Sequence, residues 1–126
     1  MIKYEELDAQ FLIDIVPEYE NEIVMEEQFL EEFLPHCIFG NVLNPKVVER
    51  LKREGYLEDE LLKRIFLMYE DFAVQGDEET RNLLEVTLLE ILWDEKKTYE
   101  RAMEMMGSGT RKIWDHIHEY LRIPTD

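Results

Sequence analysis

Apolar residues recur every three or four positions along almost the whole chain, and the interruptions are prolines and glycines. Leu7, Phe11, Leu12 and Ile15 form one stripe. It predicts a first helix ending near Val16, because Pro17 disfavours helical geometry in the residue before it. Pro17 can itself open the next segment, Glu18 to about Leu34, with Tyr19, Ile23, Leu30 and Leu34 on one face. Pro35 is then expected to break that helix, leaving His36-Cys37-Ile38-Phe39-Gly40 as a short irregular piece.

Asn44-Pro45 combines a capping residue with proline at a first helical position, which predicts a third helix from Lys46 to about Arg53, stopped by Gly55. A long fourth helix follows from Leu57 to about Gln75, with Leu61, Ile65, Met68 and Phe72 as its stripe and Gly76 as its C-terminal cap. Asp77 can cap the next, in which Leu83, Leu84, Val86, Leu88, Leu89, Ile91, Leu92 and Trp93 leave little polar face, the pattern of a central helix. The stretch Asp94 to Lys97 continues that helix or starts another, anchored by Met103 and Met106 and ended by Gly107-Ser108-Gly109. A last helix from Thr110 carries Ile113, Trp114, Ile117 and Leu121 on one side.

No strand-like alternation, hairpin signal or fixed-length repeat is present. The expected fold is all-α: a bundle or layered array of about six to seven helices without a sheet, in one domain spanning residues 1–126. A 45% apolar content with 14 aromatic residues is enough for a real core despite the high charge. Cys37 is the single cysteine, so no intramolecular disulfide can form. No apolar run approaches the roughly twenty residues of a membrane span. The first residues lack the basic segment and apolar stretch of a secretory signal. A cytoplasmic protein is the expectation.

Charge changes this picture most. The formal net charge is −16. Eleven carboxylates and one amine, Lys3, share the first thirty-four residues, for a regional charge of −10, whereas Pro35 to Glu70 is neutral. Such a field repels nucleic acid and anionic membranes and favours a basic protein partner.

Reaction chemistry is not visible. His116 and His118 are two apart, so in a helix they point to different sides and cannot share a metal. His36 and Cys37 are too few ligands for a metal site, and no Cys-x-x-Cys or His-Glu-x-x-His occurs. The Glu-x-x-His pairs of di-metal bundles are missing as well. Gly107-Ser108-Gly109-Thr110, followed by Arg111 and Lys112, could cradle an anion at a helix N-terminus, but reads better as a capping loop because no strand precedes it. No cofactor, metal or catalytic residue is expected.

Two segments, Leu34-Pro35-His36-Cys37-Ile38-Phe39-Gly40-Asn41-Val42 and Gly76 to Glu90, resemble the signature segments of a family of small acidic all-helical bacterial domains of uncharacterised activity, over roughly residues 5 to 95. That family resembles the immunity proteins that neutralise polymorphic or contact-dependent toxins. The residues themselves favour structural roles for Leu34, Pro35, His36, Phe39, Gly40, Gly76, Asp77 and Asn82, since turn and core chemistry explains them. The last thirty residues add nothing to the resemblance and read as particular to this chain.

The acidic second helix is the candidate for function. Glu18, Glu22, Glu26 and Glu32 flank Met25 and Phe29, away from the core stripe, with Glu27 nearby in a second row with Glu20 and Glu31. If the helix is continuous, two apolar side chains stand among carboxylates, as at an interface. A bend between Asn21 and Gln28 would instead turn both into the core. The expected function is a non-catalytic immunity-type module that binds a basic toxin domain, a nuclease fitting best, with no direct contact to nucleic acid or membrane. A helical adaptor acting through homodimerisation or an endogenous partner is the alternative. Oligomeric state stays open.

Overall fold

The computed structural model describes residues 1–125. Among them lie seven α-helices and no strand: α1 (Ala9–Ile15), α2 (Glu20–Leu30), α3 (Pro35–Leu51), α4 (Glu60–Gln75), α5 (Glu78–Asn82), α6 (Lys96–Met105) and α7 (Ser108–Ile117). Helix α5 runs on without a break into a π-helical segment, Leu83–Leu89, and a 3-10 segment, Glu90–Trp93. The three together form one rod, in which Leu83, Leu84, Leu88, Leu89, Leu92 and Trp93 are buried, as the central position requires.

N-cap aspartates set three helix starts. Asp8 accepts from Phe11 N–H at 2.9 Å, Asp59 from Leu62 N–H at 3.1 Å and Asp77 from Thr80 N–H at 3.0 Å, each satisfying an N-terminal donor that the helix cannot. Arginines close two C-termini. Arg64 donates to Ile15 O at 2.7 Å, and Arg101 donates to Leu51 O and Arg53 O at 2.7 and 3.1 Å, placing positive charge where the helix dipole is negative.

The core is built around two aromatic groups. Phe39 of α3 is fully buried and meets Phe11, Phe33 and Phe72, with centroids 6.5, 6.0 and 5.9 Å away. Trp93, Tyr99 and Trp114 form the other, joining the rod, α6 and α7 at 4.8 to 5.1 Å. Rings of this size contribute several kcal/mol by order of magnitude when taken out of water, so each group ties together elements distant in sequence.

Three expectations from the pattern are corrected. Helix α2 stops at Leu30, not near Leu34, because Glu31 turns the chain through a left-handed conformation (φ 64°). His36 to Gly40 is helical, not irregular: Pro35 occupies the first turn of α3, with Leu34 extended before it. Pro35 thus acts as a start signal. Asn44-Pro45 does not open a helix but lies inside α3, which ends at Leu51. Pro45 and Asn41 are both exposed, so the bond that Pro45 cannot donate to the Asn41 carbonyl is missing on the outer side of α3. Asn44 instead donates its side-chain amide to Thr87 O at 2.9 Å.

Gly76 does cap α4, but in extended conformation (φ −74°, ψ 149°). A Cβ there would lie 2.4 Å from Phe72 O. The tight space comes from that carbonyl and from the Thr80 side chain, 2.9 Å away. The N-terminal segment pairs alongside, through Ile2 N–H to Gln75 O (2.7 Å) and Asp77 N–H to Ile2 O (2.9 Å).

Candidate functional site

Helix α2 is unbroken from Glu20 to Leu30, so the bend that would have buried Met25 and Phe29 is absent. Ile23 alone of its residues is fully buried. Phe29 is 83% exposed and Met25 67%, four residues apart and therefore neighbours on the helix surface. Val24, 36% exposed, is a third apolar residue of α2 outside the core.

The carboxylates around this pair are not equivalent. Glu18 precedes α2 in a 3-10 turn (Pro17–Tyr19) and makes a bidentate pair with Arg64 at 2.9 and 2.6 Å. Hydrogen bonds from that guanidinium hold its carboxyl well below the usual range, at about 2. Glu22 pairs with Lys46, and Glu26 accepts from Asn41 at 3.2 Å, so both lean toward α3. Glu27 is half-buried, while Glu20, Glu31 and Glu32 are exposed. Glu32 lies beyond the helix, in the link to α3. Glu20, Glu22, Glu26 and Glu27 thus share α2 with the apolar pair, and Glu18 and Glu32 sit at its two ends.

The signature-like segments converge on one contact between α3 and the rod. His36 Nδ1 lies 2.5 Å from Thr87 Oγ1, and a Cβ on Gly40 would sit 3.0 Å from Thr87 Cγ2. Gly40 therefore lets α3 approach the wide π turn that carries Thr87. Asp77, besides capping α5, accepts from Tyr4 N–H at 3.1 and 3.2 Å. Asn82 is exposed on the rod.

The glycine-rich turn before α7 already holds an anion from within the chain. Glu70 of α4 accepts from Gly109 N–H (2.9 Å), Thr110 N–H (2.9 Å) and Thr110 Oγ1 (2.8 Å). Burial alone would raise the Glu70 pKa, but the Thr110 and Gly109 donors outweigh it and the carboxyl sits below its ordinary value. A Cβ on Gly107 would fall 2.6 Å from that carboxylate, which accounts for the glycine. The two C-terminal histidines part company. His116 faces Glu119 at 3.1 Å, whereas the His118 ring packs edge-on to Trp93 at 4.6 Å with Nε2 3.1 Å from Tyr99 Oη. The Tyr120 hydroxyl lies within hydrogen-bond distance of both Glu85 (2.6 Å) and Glu90 (2.8 Å), with one proton to donate between them; burial and these two carboxylates raise its pKa. Cys37 is an exposed free thiol. No helix of the described residues is long and apolar enough to cross a membrane.

No curated protein and no solved structure is significantly similar to the chain. A family model does match, over residues 9–121, and so takes in most of the last thirty residues that the two signature-like segments had left out. The protein belongs to the family described as a domain of unknown function, DUF7674.

Proposed function

We propose that this protein is a non-catalytic binding module of the immunity type, acting in the cytoplasm, whose α2 surface docks on a basic toxin domain and blocks it. The observation that carries the reading is Phe29, 83% exposed with Met25 beside it on a helix that bears four carboxylates. An exposed apolar pair gains affinity when a partner desolvates it, and the surrounding acid steers a basic partner and speeds its encounter. A nuclease is the partner class that fits best, because its substrate channel is built to attract phosphates and carboxylates can take their place.

The test begins with the protein as bait in lysate of its native organism at about 50 and about 150 mM salt, where screening differs roughly twofold in length. The captured partner is then assayed for cleavage of DNA and RNA with and without the chain. Inhibition at equimolar ratio supports the proposal. A basic nuclease that is captured yet remains fully active, or a partner without a basic surface, overturns it.

A further inference from the structure

Helix α4 buries one face, and its other face carries Glu60, Lys63, Leu67, Asp71 and Val74, all exposed and spaced three or four residues apart. Leu67 is 64% exposed and Val74 60%. Leu67 stands as a ridge between two hollows. One, of about 400 Å³, has Leu57, Phe66, Met105 and Met106 in its wall; the other, of about 210 Å³, has Ile15 and Met68.

The charges on this face are placed symmetrically about that ridge. Lys63 lies four residues before Leu67 and Asp71 four residues after it, about one helical turn either way. Leu67 is also close to the midpoint of Glu60–Gln75. A two-fold axis at Leu67, perpendicular to the helix, sets α4 antiparallel to the α4 of a second copy and brings each position before Leu67 opposite its counterpart after it. Lys63 of each copy then faces Asp71 of the other. Leu67 meets Leu67, and Val74 falls beside Glu60, whose exposed carboxylate can stay in water.

The other charges of the helix are already engaged. Arg64 is held by Glu18 and Ile15 O, and Glu70 by the turn before α7. Lys63 has Glu60 at 3.4 Å, an exposed pair that exchanges readily, and Asp71 has no ion pair among the described residues.

We infer that this face of α4 is a self-association surface, on which two copies of the chain form a two-fold dimer with their α4 helices antiparallel. A face whose acid and base exchange places under its own rotation is matched by a second copy of itself. The net charge of −16 on each copy opposes association, so the dimer is weak and tightens as salt screens the repulsion between whole molecules. A basic partner on α2 would show the opposite salt dependence. No α2 residue lines either hollow, so the two surfaces are separate.

The test is sedimentation equilibrium of the full chain at up to about 0.5 mM, where a dissociation constant of that order is measurable, in about 20 and about 150 mM salt. Mass should rise with concentration, and more steeply at the higher salt. Lys63→Glu and Asp71→Lys should each weaken dimerisation at least about fivefold, since either sets like charges against each other twice across the axis. The double variant Lys63→Glu/Asp71→Lys restores both pairs with reversed polarity and should return to within about twofold of wild type. Asp71→Lys is the decisive single change. It lowers the net negative charge, so repulsion between whole molecules would by itself make this variant associate more tightly. Both positions are exposed, and unfolding curves should match wild type. A monomer at every concentration, tighter association of Asp71→Lys, or a double variant no better than the singles would overturn the inference. Met25→Ala/Phe29→Ala should dimerise as wild type does; its failure to do so would place the contact on α2 and equally overturn it.

Discussion

Single residues carry strain and satisfaction that can be measured directly. Glu31 is the one non-glycine residue with positive φ among the described residues, in a conformation that costs a side-chain-bearing residue about 1–2 kcal/mol. Glu31→Gly removes that cost while adding entropy to the unfolded chain, so stability by urea unfolding should rise, by up to about 1 kcal/mol. Gly76→Ala should do the reverse, losing about 1–3 kcal/mol, because its Cβ would overlap Phe72 O although the backbone angles suit any residue. Glu70→Ala leaves the first donors of α7 without their carboxylate and should cost about 1–3 kcal/mol. Both Glu70 and Glu18 have folded pKa values below their unfolded ones. Their contribution to stability is therefore complete above the unfolded glutamate pKa and is lost as pH falls from there toward the folded values, about 2 for Glu18. Acid titration of unfolding free energy should show this loss in wild type and a smaller one in Glu70→Gln.

At the scale of elements, periodicity revealed more than punctuation did. The stripes on α1, α4 and α7 were legible because Leu12, Ile65, Phe72, Trp114 and Ile117 repeat at helical spacing and are all buried. Proline was ambiguous, since a ring that can stop one helix is equally suited to the first turn of the next: Pro35 only opens α3, and α2 has already ended at Leu30 through the left-handed Glu31. Pro45 misled for a different reason. Its helix interior is tolerated because the lost bond lies on the exposed side, a property of packing that spacing does not encode. Pro45→Ala should restore one backbone bond in α3 and raise stability by about 1–3 kcal/mol, checked by thermal and urea unfolding. The π segment left no sequence signal either, because Leu83 to Leu89 is apolar on nearly every side and fits any helical winding. The Met25–Phe29 pair, by contrast, was legible as two apolar residues off the core stripe of α2.

For the whole molecule the decisive property is a net charge of −16 on a folded body with a well-packed core. Like-charge repulsion opposes self-association and favours a basic partner, with an association rate that falls as salt rises. The most direct test of that account is a binding titration of the captured partner against wild type and Met25→Ala/Phe29→Ala at fixed moderate salt, with unfolding curves for both proteins. Both side chains are exposed, so the variant should keep its stability to within about 0.5 kcal/mol. Its affinity should fall by at least about tenfold, as expected when an interface loses its apolar anchors. Unchanged affinity in a variant of unchanged stability would contradict the claim that this helix is the docking surface.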